Sequence, residues 1–311
     1  MKENEGIALI GYKMTDGEMR DYDGYQYEVG KEYECEGEIE LGENGFHAYI
    51  SPRDLFENPM SYEHPRYFKV VQWGEMKMSS KNEECLRKRA SSHIKIVSEL
   101  TLEDIFREVE ETLKRDEKPI ELKGRYNTSG RYERGVLTGD MTNVINILDN
   151  WCEMLVEGNR KPIGVYAAGT ALISNGSFNR IWVKEADNRI EVRGDRSDCE
   201  VCDIYNLVLN TGYLNTIGVY GDDNVIISNG SEGKIFVYGR NNEIIIKGNN
   251  NKIYCGPDSN NNIITVKEDC ILIRNGVNGR SKKKNAKKGE RYVYERGIFS
   301  GYFKRIRGKM M

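Results

Sequence analysis

Histidine is scarce in this 311-residue chain: there are three, His47, His64 and His93, and no two stand at a metal-ligating spacing. A metal centre is therefore not expected, because a zinc site needs ligands clustered at short, defined intervals. No run of about 18 apolar residues occurs, so no membrane-spanning helix is expected. The N-terminal apolar stretch, GIALIG, is too short and follows acidic residues, which argues against a signal peptide and for a cytoplasmic chain. Seven cysteines, an odd number scattered along the chain, argue against a disulfide framework. Cys199 and Cys202 form one C-x-x-C, but there is no second pair at zinc-site spacing, so Cys199 is expected to pack inward and Cys202 to sit by a turn. G-x-S-x-G, P-loop and G-x-G-x-x-G elements are missing from any strand-to-helix context, and no cofactor is expected. Apolar residues reach only 38% while charged residues reach 31%, which fits an extended shape with much surface per unit of core.

What is present is a repeat. Apolar residues recur every nine positions at Ile163, Leu172, Ile181, Ile190 and Cys199, and again at Ile217, Ile226, Ile235, Ile244 and Ile253. The spacing slips through Leu207 between the runs, and afterwards reaches Ile263 or Ile264 and then Ile271. Most of these positions open an I-x-V unit, such as Ile181-Trp182-Val183 or Ile235-Phe236-Val237, whose first and third residues face one side of a strand. Each unit ends in Asn and Gly, residues that tolerate the positive φ a tight corner needs. Two units make a coil of about 18 residues, which predicts a parallel β-solenoid with Ile/Val ladders inside and Asn ladders at the corners. The rival is an antiparallel meander, since Asn-Gly between apolar strands also marks hairpins. The fixed period favours the solenoid, from about Val136 to about Ile273. At its start, Val136, Ile145 and Met154 extend the series backward, whereas Met141, Val144, Leu148, Trp151 and Leu155 would also line a helix; Gly-rich turns on both sides favour strands.

The predicted organisation is an α+β N-terminal domain (1–121), a β-solenoid (122–276), and a basic linker with a C-terminal cap (277–311). The N-terminal strands are placed at 7–12, 25–29, 33–38, 46–50, 67–71 and 94–97, followed by one helix capped by Thr101 with Asp104 three residues on. The solenoid end needs a cap, and Arg291 to Phe299 reads as a hairpin that would supply it, after a Lys-rich loop from Ser281 to Gly289. Charge is unevenly spread. Residues 280–311 carry +10 and the rest −13. Lys282, Lys283, Lys284, Lys287, Lys288, Arg305 and Arg307 lie among Tyr292, Tyr302 and Phe303, an interleaving that suits nucleic acid or an acidic protein surface, including a second copy of the chain. Acidic corner residues Asp222, Asp223, Glu232 and Glu243 would suit carbohydrate cleavage, against the plainer reading of solvated corners.

In the first hundred residues the segments Gly11-Tyr12-Lys13, Tyr25-Gln26-Tyr27-Glu28-Val29-Gly30-Lys31-Glu32-Tyr33, Glu43-Asn44-Gly45-Phe46-His47-Ala48 and Pro52-Arg53-Asp54-Leu55-Phe56 occur in order. This pattern resembles an uncharacterised domain of phage and prophage proteins, many of which continue into a repetitive region and end in a hairpin similar to Tyr292–Phe299. Gly42 and Tyr49 stand where that family often has Cys, so a metal held by those Cys would be lost here. The resemblance implies a phage or prophage context and brings no activity. An ADP-ribosyltransferase-like site would use His47, Tyr12 and Tyr67 as its pocket, but the acid it requires is not placed, Glu75 and Glu83 being the nearest; otherwise His47 is structural. The leading expectation is a non-enzymatic, homo-oligomeric binding protein, a host-defence inhibitor or regulator, that sequesters a host protein or complex sterically. The alternatives are that enzyme, or a phage tail or fibre accessory protein.

Overall fold

The computed structural model describes residues 8–56, 65–78, 88–139, 143–275, 281–295 and 302–306. The chain divides into two units, Met1–Glu111 and Thr112–Met311.

The N-terminal unit is an antiparallel sheet of β1 (Leu9–Thr15), β2 (Glu32–Glu34), β3 (Phe46–Tyr49), β4 (Arg66–Met78) and β5 (Lys88–Leu100). β1 pairs with β3 and β4, and β5 pairs with β2, β3 and β4, so four of the strands close a ring. Long β4 and β5 bend at register shifts beside Lys69/Val70 and Trp73/Met76. One side is a core of Tyr27, Phe46, Phe68, Val70, Ile94 and Ile96. Residues 25–29 form no strand among themselves; apart from a bridge between Arg20 and Gln26, this stretch serves the core through its rings, with Tyr25, Tyr27, Tyr33 and Phe46 packed edge-on or tilted at centroid distances of 5.0–6.4 Å. α1 (Leu102–Asp116) starts where expected: Thr101 Oγ1 accepts the Asp104 N–H at 3.2 Å and Asp104 Oδ2 accepts the Thr101 N–H at 2.9 Å, a reciprocal cap.

The second unit is mainly a parallel β-solenoid. Strands alternate between two sheets, and successive strands of one sheet pair in parallel register 18 residues apart, as Ile163↔Ile181 and Ile226↔Ile244 do. Antiparallel hairpins are therefore ruled out across the repeat. Nine of every eighteen residues build each side, and the alternation sends Ile181 and Val183, Ile190 and Val192, Ile217 and Val219, or Ile235 and Val237 into one continuous core. Val208, rather than Leu207, holds the inward place between the two runs, so the nine-residue series runs unbroken from Ile145 to Ile253. The slip was misplaced because Leu207 is as apolar as its neighbour. At the ends the period does change. Leu137, paired with Val156, takes the inward place instead of Val136, and insertion after Cys255 gives the inward places to Ile264, one of the two residues the period allowed, and to Leu272 rather than Ile271. The ambiguous segment folds as strands, Ile145–Ile147 and Glu153–Glu157, whose Ile145, Ile147, Met154 and Val156 join the core; Met141 lies outside the described residues.

Two side-chain ladders lock the corners. At one, Asn188, Asn206, Asn224, Asn242 and Asn262 each accept the backbone N–H one coil earlier through Oδ1, at 2.7–2.9 Å. At the other, Asn179, Asn215 and Asn251 through Oδ1 and Ser197 through Oγ do the same at 2.7–3.1 Å, with Gly233 interrupting the column, and the ladder begins with the buried Lys161, which donates to Asn143 Oδ1 at 3.1 Å. These bonds satisfy buried N–H groups that the strands leave free at the turns they span. The residue before each ladder position has positive φ, and it is seldom glycine: Phe178, Asp187, Arg196, Tyr205, Leu214, Asp223, Glu232, Asn241 and Asn250 all adopt it. In the column Gly158, Gly176, Gly194, Gly212, Gly230 and Gly248 the first two have positive φ, and the last four have a different cause. A Cβ at Gly194, Gly212, Gly230 or Gly248 would lie 1.7–2.1 Å from the carbonyl oxygen of the glycine one coil below.

The C-terminal end closes by reversing direction. Ser281–Ala286 pairs antiparallel with Cys270–Asn275, and Arg291–Glu295 pairs antiparallel with both Asn262–Val266 and Tyr302–Arg305. The segment read as a Lys-rich loop is thus largely an edge strand. Tyr292 and Tyr294 plug the open end of the core, at 1% and 0% exposure. Beyond Glu295 the expected hairpin, with Gly297 and Phe299, lies outside the described residues.

Candidate functional site

Three places gather the functional candidates. The first is the sheet face of the N-terminal unit. Register opposes Tyr12 to Tyr49 and to Lys69, and Met14 to Tyr67, so these residues share one face, and His47, two residues from Tyr49, belongs to it as well. Sequence reasoning grouped Tyr12, His47 and Tyr67, and the strand register groups them too. It missed Glu108. From α1, Glu108 accepts the Tyr12 hydroxyl at 2.9 Å and pairs with Lys69 Nζ at 2.7 Å. Only the helical placement of Glu108 among Ile105, Phe106 and Val109 hinted at it. Glu75, considered from the sequence, is exposed on β4, and Glu83 lies outside the described residues.

His47 Nε2 accepts the Gly42 N–H at 2.7 Å. Burial, then Lys13 and Lys88 nearby, hold its pKa below the ordinary imidazole value. The ring is neutral, with that nitrogen committed to shaping the 42–47 turn. On the opposite face, buried Lys13 donates to the His47 carbonyl at 3.1 Å, faces Asp21 at 3.5 Å and lies over the Tyr27 ring. Burial lowers the Lys13 pKa, and Asp21 opposes that shift.

The second place is the basic C-terminal end. Lys282, Lys283 and Lys284 stand on the outermost strand of their sheet, and Arg305 on the outermost strand of the other. Lys287 pairs with Asp269 at 2.8 Å, Lys288 with Glu268 at 2.5 Å and Arg305 with Glu290 at 3.0 Å. Lys284 lies 4.5 Å above the Tyr292 ring. Tyr292 is in the core, Phe303 is packed against it, and Tyr302 is exposed with its hydroxyl on Glu295. Arg307 lies outside the described residues. Cations on edge strands have an immediate physical role, because they repel a further strand from the free edge.

The third place is the outer face of the ten-stranded sheet, which sequence reasoning did not single out. Its outward columns place Trp182, Glu200, Gly218, Phe236 and Tyr254 on successive rungs, with Tyr166, Lys184, Cys202, Tyr220 and Tyr238 beside them. Tyr220 stacks on Tyr238 at 5.0 Å and Phe236 on Tyr254 at 4.6 Å. A cavity lies between Arg180, Trp182, Asp198 and Glu200. Cys199 points into the core, where burial pushes its thiol up to about 12, while Cys202 stands outside with Lys184 Nζ 3.1 Å from its sulfur. The C-x-x-C thus points to opposite sides of the wall and cannot close on one ion.

The architecture defines a β-solenoid protein with a small antiparallel-sheet domain ahead of it. Residues 9–108, which hold that domain, match the family described as Domain of unknown function (DUF7666). No curated protein and no solved structure matches the chain. Among the described residues no helix is long and apolar enough to cross a membrane.

Proposed function

We propose that this chain is a non-enzymatic binding protein of phage or prophage origin that sequesters a host protein or complex, as an inhibitor or regulator of host defence, and that it works as a homo-oligomer in the host cytoplasm. The observation that carries this reading is the doubly laddered solenoid. Most corners are held by a buried Asn or Ser bond, the inward residues form one continuous apolar core, and exposed Tyr166, Tyr220 and Tyr238 stand on a wall that cannot rearrange freely. A surface ordered in advance loses little entropy on binding, and exposed aromatic side chains supply contact area with few rotors to freeze. The phage context rests on the resemblance of the Tyr25–Tyr33 and Gly45–Ala48 segments. The basic edge strands offer a nucleic-acid contact only through cations that acidic neighbours do not already hold, chiefly Lys282 and Lys283.

Affinity capture by the full chain from bacterial lysate, repeated with Tyr220→Ser/Tyr238→Ser, tests the reading. A host protein retained by the wild type, lost with the variant and bound again after purification agrees with it. Equal recovery by both chains contradicts it.

A second reading draws on one observation, the carboxylate of Glu108 at the face bearing Tyr12, His47 and Tyr67. An ADP-ribosyltransferase-like activity would consume NAD in a way that Glu108→Gln abolishes. NAD that stays intact with the wild-type chain removes this reading.

A further inference from the structure

Charge is sorted along the outer face of the ten-stranded sheet. In its middle, Arg180 lies 3.7 Å from Asp198 on the next rung, and Glu200 shares the rung of Asp198. After the uncharged strand Thr216–Val219 only one sign is left. The last four strands of the sheet, Lys234–Val237, Lys252–Cys255, Cys270–Asn275 and Ser281–Ala286, contain Lys234, Lys252, Arg274, Lys282, Lys283 and Lys284 but no Asp or Glu. Lys234, Lys252 and Lys283 face outward. The first two are register partners ahead of the inward Ile235 and Ile253, and Lys283 is the partner of Ile273, whose neighbour Leu272 points into the core.

Other cations at this end are matched, as Lys287 is by Asp269, Lys288 by Glu268 and Arg305 by Glu290. Lys234, Lys252 and Lys283 have no carboxylate within ion-pair distance among the described residues. Acids at the two corners are engaged elsewhere: Glu232 accepts the Tyr213 hydroxyl, and Asp222 accepts the Arg240 N–H at 2.6 Å. Like charges opposite each other across a ladder destabilise a sheet, so the Lys234–Lys252 pair is a cost that a bound anion would relieve. Aromatic rings accompany the lysines. Phe236 and Tyr254 lie two residues further along the same strands, stacked at 4.6 Å, and the exposed Tyr220–Tyr238 stack stands in the next column. Lys234 and Lys283 are three rungs apart, about 14 Å at the spacing of paired strands.

Single-stranded nucleic acid suits this combination, because its phosphates pair with ammonium groups and its unpaired bases find flat ring surface. A duplex hides the faces of its bases, and a flat sheet wall offers no helix or ribbon to enter a groove. An acidic peptide would pair with the lysines and leave the rings without a planar partner. We propose that the face formed by Lys234, Phe236, Lys252, Tyr254 and Lys283 binds single-stranded nucleic acid, with the lysines on phosphates and the rings against bases. The inference goes beyond the host-protein reading and does not rest on it.

The test uses the purified full chain with labelled dodecamers of thymidylate and uridylate, read by fluorescence anisotropy over a range of salt. Both are expected to bind, since phosphates and base faces are common to DNA and RNA. Three phosphate contacts give log K a slope of about −2 against log salt, and Lys234→Gln/Lys252→Gln leaves a slope of about −0.7. Tyr254→Ser is expected to weaken binding about tenfold with the slope unchanged. Neither variant alters an inward position, and the double variant should melt no lower than the wild type, because a repulsive pair is gone. The proposal is overturned if neither dodecamer binds at low salt, if the double variant keeps the wild-type slope, or if polyglutamate of equal charge or a duplex of equal length binds as tightly as the single strands. Capture of a host protein from nuclease-treated lysate is a separate readout, so either reading can fail while the other stands.

Discussion

Replacing Gly194 by alanine puts the stacking of the coils to a direct test. The added Cβ would stand 1.7 Å from the Gly176 carbonyl oxygen and 2.1 Å from its carbon. Both parties are backbone, so no rotamer change relieves the clash and the two coils must part. Overpacking of this kind costs about 1–3 kcal/mol, and the upper end applies where nothing can swing aside. Reduced freedom of the unfolded chain returns only about 0.4–1 kcal/mol. The net loss of about 2 kcal/mol corresponds to a melting temperature lower by about 4–8 °C for a unit of this size. Gly164→Ala is the matched control. Its Cβ would meet the Tyr166 ring at 2.2 Å, but that ring is 45% exposed and can rotate away, so the change should stay within about 1 kcal/mol of neutral. Circular dichroism melts of the three proteins decide the matter. A Gly194→Ala protein that melts with the wild type, or no lower than Gly164→Ala, refutes backbone contact between the coils.

The corner ladder makes a separate prediction: Asn224→Ala strands the Asn206 N–H that now donates to Asn224 Oδ1 at 2.7 Å, and should cost about 1–3 kcal/mol in denaturant unfolding. His47 should make stability depend on pH. Burial holds its folded pKa below the ordinary 6.5, so the unfolded chain takes up the proton first, and the contribution is complete above about pH 6.5 and lost as pH falls below it. Because Glu99 and Asp104, held down by Arg66 and Thr101 respectively, lose their own contributions at lower pH, the informative quantity is the difference between wild type and His47→Gln between pH 7 and pH 5, which should narrow as pH falls. Thiol labelling should be selective among the described cysteines. Cys35 and Cys202 are partly exposed and should react with iodoacetamide in the native protein, whereas Cys152, Cys199, Cys255 and Cys270, with thiol pKa values raised by burial, should react only after denaturation.

The solenoid was legible because its period is carried by the inward residues themselves. An Ile or Val every nine positions leaves few folds open, and the parallel choice over hairpins followed from the constancy of that spacing. Where the inward residue has an apolar neighbour, as at Val136-Leu137, Leu207-Val208, Ile263-Ile264 and Ile271-Leu272, the pattern does not say which of the two points inward; the Ile263-Ile264 choice stayed open, and the other three places were misread by one residue. The corners were read correctly for Asn241 and Asn250 and for Gly158 and Gly176, which have positive φ, and incorrectly for Gly230, Gly239 and Gly248, which do not. Positive φ falls on Phe178, Tyr205 or Leu214, residues that pay strain there because the ladder bonds on the next residue hold the turn. The glycine column answers to a contact between coils, which appears in sequence only when the 18-residue interval is followed through Gly158, Gly176 and Gly194. The N-terminal unit was harder. Tyr25–Val29 looks like a strand because its aromatic residues favour strands, yet those rings serve a cluster and the backbone does not pair as a strand. Glu108 escaped notice since a carboxylate on an amphipathic helix ordinarily faces water. The outer-face aromatic stacks escaped it because their members, such as Tyr220 and Tyr238 or Phe236 and Tyr254, lie 18 residues apart and become neighbours only through the winding.

Cysteine cross-linking reads that winding directly. Thr216 and Lys234 are register partners on adjacent rungs, close enough for a disulfide, whereas an antiparallel hairpin of Thr216–Val219 with the next strand in sequence, Val225–Ser228, would instead bring Thr216 opposite Ser228. Oxidation of Thr216→Cys/Lys234→Cys should give an intramolecular disulfide in the folded protein, and Thr216→Cys/Ser228→Cys should remain reduced. Disulfide formation in the second protein and not in the first would show strands running in opposite directions and contradict the solenoid.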